Sequence, residues 1–322
     1  KVTSRVMRGI MIHKIMRAFF TKVFPVLFYG LLFVFLAVYL QSIDYSVFKD
    51  VQLNWGFLAV AFTFGLFFRY WSAYIWVVLL RNLGASNVRL SRDLIYIYAK
   101  SWLGRYIPGT APWILGKIYF ASKQGISKNK LAVSSLLEGA LQIAVLLAIS
   151  LLLLVSDTRL DIIGSEYKFL MILGLLGCFI SLLPPAFNFF VALAYRLFKK
   201  KTLALEHYAS TRTISTGAAM YTVGALINGV SLFFIAKAMY PDLGYEQLSF
   251  VIGVGTLAGA VSMLAVFAPS GLGVREGIQL ALLSLIMPTE IALLVTVATR
   301  LLSLLCDGCF YGLNLMFVRK KG

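Results

Sequence analysis

Nine ionisable residues fall inside stretches of the chain that are otherwise apolar. Six are basic (Arg69, Lys100, Arg105, Lys117, Arg275 and Arg300) and three are acidic (Glu138, Glu276 and Asp307). A charge at mid-bilayer costs at least ~2.5–3.5 kcal/mol on insertion scales, so each such group faces protein or a water-filled cavity. The excess of base over acid points to an anionic ligand, and phosphate is the obvious anion in a membrane. Arg275 and Glu276 open a helix behind a Gly-rich turn. Glu suits the positive end of the helix dipole and Arg does not. An Arg there makes sense facing an anion, helped by the exposed amides of the turn. Some of the nine charges must pair, and Glu138 and Asp307 are the candidate counter-ions. Asp307 follows Arg300 by seven residues and shares its helix face. Lys100 can instead snorkel to the surface. The competing reading is that all nine are pairs locking a helix bundle.

The elements that hold these residues are membrane helices. Of 322 residues 60% are hydrophobic and 13% charged, and no water-soluble fold could hide that much apolar surface. Six segments have the length and composition to span: Val23–Leu40, Trp55–Leu80, Leu131–Val155, Phe169–Tyr195, Thr213–Ala236 and Ile291–Val318. The first is read as an anchor and not a cleaved signal, since no small-residue cleavage site follows it. Ahead of it, Met7–Phe20 mixes Arg8, Lys14 and Arg17 with apolar residues and suits an interfacial helix. Two further stretches are interrupted. Asp93–Lys123 is broken at Pro108-Gly109, and Leu248–Met287 at Pro269-Ser270-Gly271 and Gly273. Proline removes an amide donor and glycine tolerates unusual backbone angles, so each stretch reads as helix, unwound turn, helix. Both are expected to enter and leave on one side, with breaks near the midplane, because irregular backbone at depth must be covered by protein or water.

The net charge of +17 has two explanations, a nucleic acid or a cytoplasmic membrane face. Position decides. With the N-terminus inside, the cytoplasmic segments hold twenty Lys and Arg and the outside segments only Lys49, Arg159, Lys168 and Lys237. That asymmetry across short loops is the positive-inside pattern, so no nucleic-acid partner is expected and both termini are placed in the cytoplasm. The same directions give an inverted repeat. Residues 1–22 form an amphipathic lead, and 23–322 a single transporter domain with repeat one at about 23–155 and repeat two at about 169–318. Broken helices at matching places in two inverted halves mark many transporters.

Other chemistry has little support. Gly109 to Ile118 resembles a phosphate loop, but its spacing is too long and no Ser or Thr follows Lys117. The two histidines, His13 and His207, stand apart, and Cys178, Cys306 and Cys309 lie in apolar runs. They read as packing residues, and no metal or cofactor is expected.

The motifs resemble one family, the flippase-like transmembrane domain of lysylphosphatidylglycerol synthetases and its stand-alone bacterial and archaeal relatives, from about Phe19 to Val318. The resemblance is carried by Arg69-Tyr70-Trp71, Leu80-Arg81-Asn82-Leu83-Gly84, Tyr106-Ile107-Pro108-Gly109 with Gly116-Lys117, and Glu138. Its clearest piece is Pro269-Ser270-Gly271-Leu272-Gly273-Val274-Arg275-Glu276-Gly277, followed by Thr299-Arg300-Leu301 and Gly308. Ser270 replaces a Gly of the family pattern, and Lys117 an Arg. The chain stops after its last span, so the aminoacyl-transferring domain of bifunctional members is not expected. The resemblance implies translocation of a phosphate-bearing lipid, either an aminoacylated phospholipid or a polyprenyl-phosphate-linked sugar, in the cell membrane. Its head group would be bound by Arg69, Arg105, Lys117, Glu138, Arg275, Glu276, Arg300 and Asp307. A homodimer, and a link to a lipid synthase or glycosyltransferase, are the partners to look for. The rival readings are a membrane-embedded lipid-modifying enzyme, with Glu138 or Glu276 as its base, and a scaffold for a membrane glycosyltransferase.

Overall fold

A computed structural model describes residues 52–85, 88–107, 111–159, 164–265 and 268–319, all within one compact unit, 50–322. The expected interfacial helix, the first span, and Pro108 and Gly109 lie outside the described residues. Ten α-helices, short 3-10 turns and no strand make up the described part. They are α1 (Trp55–Asn82), α2 (Arg92–Trp102), α3 (Ala111–Ser122), α4 (Lys128–Val155), α5 (Ser165–Ser181), α6 (Pro184–Lys199), α7 (Thr211–Met239), α8 (Leu248–Leu264), α9 (Val274–Leu283) and α10 (Thr289–Arg319). Asn54, Ser91 and Ser210 start α1, α2 and α7 by accepting a backbone N–H with the side chain. The chain is a multi-pass membrane protein: among the described residues five helical segments are long and apolar enough to cross a bilayer.

Contacts fix the helix directions. Asn54 N–H donates to Ala238 O (2.9 Å), Ser231 Oγ to Ala61 O (2.8 Å) and Trp71 Nε1 to Met220 O (2.8 Å), so α1 and α7 are antiparallel. Lys130 Nζ reaches Gly84 O, which puts the start of α4 beside the end of α1. At the other end, Arg159 lies over Phe250 at the start of α8. In α10, Cys306, Asp307 and Asn314 meet Phe62, Arg69 and Tyr70 in turn, so α10 runs parallel to α1. One end of the bundle therefore gathers Arg81, Arg89, Arg92 and Lys128, and is called the basic end. Close approach is bought with small residues, as in membrane bundles generally. A methyl group on Gly217 would stand 2.6 Å from Leu141, and one on Gly229 2.8 Å from Ile252.

The segment expected as a simple span, Phe169–Tyr195, is different. It is two helices, α5 and α6, meeting at 84°. Pro184 and Pro185 cause the break: they have no amide to donate back, and Leu183 before them is extended (φ −67°, ψ 137°). Because α4 ends at one end of the bundle and α7 begins at the other, the pair carries the chain across as a broken span. α6 then packs Phe187, Val191 and Tyr195 against Leu83, Leu203 and Ala209 near the basic end. Asn188 clamps Ala209 through both its backbone N–H and its carbonyl, which positions the start of α7.

The two interrupted stretches are hairpins. α2 and α3 both open at the basic end, where Val88, Asp93, Gln124 and Ile126 come together. α8 and α9 start from and return to the opposite end. α8 is long enough to span, yet it stops halfway: Gly253 packs on Leu154, Gly259 on Leu146, and Ser262 reaches the middle of the bundle. The unwound turns Leu103–Tyr106 and Pro269–Gly271 then pack against each other. Two hairpins entering from opposite ends and touching at their tips is the arrangement the inverted repeat requires.

Candidate functional site

The tip of the second hairpin has a demanding backbone. Ser270 (φ 53°), Gly271 (φ 68°) and Gly273 (φ 85°) are all left-handed. Gly271 presses on Ser262, leaving no room for a Cβ. Ser270 pays for its side chain with strain of ~1 kcal/mol or more. The turn orients α9 so that Glu276 Oε2 accepts the Gly273 N–H (2.7 Å), the reciprocal half of a capping box, which occupies one carboxylate oxygen. The other oxygen lies 3.4 Å from Arg300 Nη1, which also donates to Ser270 O (3.2 Å). Arg300 stands over the Tyr106 ring as well, so it ties the two hairpin tips together.

A second group centres on Asp307. Arg69 Nε donates to its Oδ1 (2.7 Å), Trp102 Nε1 to the same oxygen (3.1 Å), and Tyr106 OH to Oδ2. Arg69 further donates to Gly65 O, Ser303 O and Ser303 Oγ. Arg69 is 4% exposed and Asp307 1%, so this is a satisfied buried ion pair joining α1, α10 and the first hairpin. Arg69 stands midway along the 28 residues of α1, which sets the group near mid-depth.

A third group is separate. Lys117 pairs with Glu138, and Tyr98 OH donates to Glu138 (2.7 Å). Trp113, Tyr98 and Trp76 surround the Lys117 ammonium, the nearest ring 4.0 Å away. Both charges are at most 1% exposed. Neither lines the central cavity, so the structure does not bring Lys117 and Glu138 together with the other expected site residues. Lys100 is exposed and lies over Phe120, as a snorkelling lysine would.

What remains is a narrow cavity of about 70 Å³ lined in part by Arg69, Arg105, Gln142, Tyr221, Asn228 and Arg275. It adjoins a smaller hollow of about 20 Å³ that shares Arg69, Asn228, Arg275 and Ser303. Arg105 reaches it from the first hairpin tip, its guanidinium over the Trp102 ring at 4.4 Å. Arg275 reaches it from the first turn of α9, with its Nε buried and unpartnered. Neither has a carboxylate within ion-pair distance among the described residues. Around Arg275 the charged groups are Arg105, Arg69 and Arg300 against one carboxylate, Glu276. Four guanidiniums thus stand with two carboxylates, both of them already engaged. A phosphate with its oxygens between Arg105 and Arg275 would meet charge-assisted donors from both hairpins.

Sequence reading overlooked several neighbours. Trp102 and Tyr106 complete the Asp307 cluster, Ser303 holds Arg69, and Tyr98 holds Glu138. Trp102 and Tyr106 flank Arg105 at the break, which was a usable signal. Ser303 and Tyr98 had none beyond being polar in apolar runs.

Comparison with family models matches residues 15–308 to one described as the lysylphosphatidylglycerol synthase TM region. No curated protein matches. The chain belongs to that lysylphosphatidylglycerol synthase transmembrane family.

Proposed function

We propose that this member of the lysylphosphatidylglycerol synthase transmembrane family is a flippase-like transporter that moves a phosphate-bearing lipid between leaflets. The observation that supports this most is the pair of guanidiniums without a carboxylate partner among the described residues, Arg105 and Arg275, one at the tip of each hairpin and facing one mid-depth cavity. An unpaired cation at that depth is costly unless a ligand anion completes it. The phosphate would sit between the two, and the acyl or prenyl chains would stay in lipid. Arg69, Asp307, Arg300 and Glu276 would brace the site, and Lys117 with Glu138 would lock the first hairpin to α4. The basic end would face the cytoplasm by the positive-inside rule. Transport would follow the rocking of one repeat against the other around the hairpin contact. It would run downhill or be driven by potential or a coupled ion.

Reading the site as an enzyme would need a free general base. Glu138 is closed in by Lys117 and Tyr98, and Glu276 is held by a backbone amide and Arg300, so transport fits these residues better. The test is reconstitution of the protein in vesicles with acyl-labelled phosphate lipids and a leaflet-resolved quenching assay. Acceleration of lipid movement that Arg275→Gln removes is the expected result. Movement no faster than in protein-free vesicles, for every phosphate lipid tried, would reject the proposal.

A further inference from the structure

We infer that the cavity takes a phosphate lipid whose remaining head group is uncharged and hydroxyl-bearing, and that it turns away head groups carrying an ammonium. This rests on the transport reading above and narrows its substrate class.

An aminoacylated head group brings one or more ammonium groups next to the phosphate. Each adds a positive charge that only a carboxylate can balance once it leaves water, even where neutral oxygens accept its N–H bonds. No carboxylate among the described residues lines the cavity, and its Phe68 ring already faces Arg69. Asp307 is engaged by Arg69, Trp102 and Tyr106. Glu276 is engaged by the Gly273 amide and Arg300. Glu138 is sealed away beside Lys117. The Trp102 ring already carries the Arg105 guanidinium. An incoming ammonium would meet Arg69, Arg105 and Arg275, while the nearest carboxylates, Asp307 and Glu276, are already engaged.

The uncharged groups tell the opposite story. Tyr221 is 4% exposed, and its hydroxyl is buried with no partner. Gln142 and Asn228 line the same wall and make no hydrogen bond among the described residues. Ser262 gives its proton to Gly259 O, which leaves its oxygen free to accept. Buried polar groups are normally satisfied, so an orphaned hydroxyl beside two free amides marks a place where a ligand supplies the partners. Sugar or glycerol hydroxyls, which donate and accept, match these four side chains, while the phosphate matches Arg105 and Arg275.

The test uses the full chain in phosphatidylcholine vesicles with two acyl-labelled tracers of identical chains. One has a phosphatidylglycerol head group and the other is its lysyl ester. Leaflet-resolved quenching should show the neutral-headed phosphodiester crossing about tenfold faster or more, since the lysyl ester adds two amines and even one repelled charge in a poorly screened site requires that much. Gln142→Glu should shift the ratio of the two rates about tenfold towards the lysyl ester. Because both rates come from one preparation, partial misfolding cancels in the ratio. A lysyl ester moved as fast as its partner, or faster, by the unaltered protein would overturn the inference and leave lipid transport standing. Both tracers stationary would overturn the inference, and lipid transport as well once every other phosphate lipid tried also stays put. Release of inorganic phosphate from loaded vesicles while both lipids stay put would assign the arginines to a free anion, and would overturn both as well.

Discussion

Exchanging Arg69 and Arg275 for methionine, one at a time, separates the two roles a buried arginine can have. Arg69 makes four hydrogen bonds, one of them a 2.7 Å ion pair to Asp307. Its loss leaves a carboxylate that is 1% exposed with only Trp102 and Tyr106 as donors. Stranding one member of a buried pair typically costs ~3–5 kcal/mol, so Arg69→Met should lower stability by about that much. Arg275 has an unpartnered buried Nε and like-charged neighbours. Removing it deletes an unsatisfied donor that costs ~1–3 kcal/mol, so Arg275→Met should hold or raise stability. Its effect should appear in transport. A charge-assisted hydrogen bond is worth ~1.5–3 kcal/mol, which corresponds to a loss of about 10- to 100-fold in lipid movement. Stability is read by urea or thermal melts of the detergent-solubilised protein, followed by tryptophan fluorescence, and transport by leaflet-resolved quenching. If Arg275→Met loses as much stability as Arg69→Met, Arg275 has a structural partner and the anion-site reasoning fails. If Arg69→Met keeps full stability, the Asp307 pairing is not what holds α1 to α10.

Lys117→Met alone should destabilise by ~3–5 kcal/mol, whereas Lys117→Met with Glu138→Leu should recover most of that and keep transport, because replacing a buried pair by apolar residues is often neutral; a double-mutant cycle measures it, and loss of transport in the stable double variant would return the pair to the lipid site. Ser270→Gly relieves a left-handed serine and should raise stability by ~0.5–1 kcal/mol, while Gly271→Ala, whose Cβ has no room beside Ser262, should lower it by ~2 kcal/mol or more; denaturant midpoints check both, and equal effects would argue against the hairpin-tip backbone. Lys200→Cys should resist an impermeant thiol reagent in intact cells and react after lysis; labelling without lysis would reverse the orientation.

Much of this was legible before any coordinates. Spans report themselves because lipid demands about 20 apolar residues in a row, and α1, α4, α7 and α10 fall where composition puts them. The hairpins were legible from Pro and Gly at matching places, since backbone chemistry there is local. The bend at Leu183 was available in Pro184-Pro185 but was masked by the apolar run around it.

Pairing was another matter. Composition counts six embedded bases and three acids, and it fixes an excess of positive charge whatever the fold. It says nothing about which base meets which acid, because partners lie as far apart in sequence as Arg69 and Asp307, and packing alone brings them within 2.7 Å. Tertiary structure divided the expected set. Lys117 and Glu138 went into a sealed box, Arg69 and Asp307 into a brace, and Arg300 and Glu276 into the hairpin tip. Of that set, Arg105 and Arg275 were left facing the cavity with no carboxylate partner among the described residues. Charge excess is additive over a sequence, whereas the identity of the charges left over is a property of the contact map.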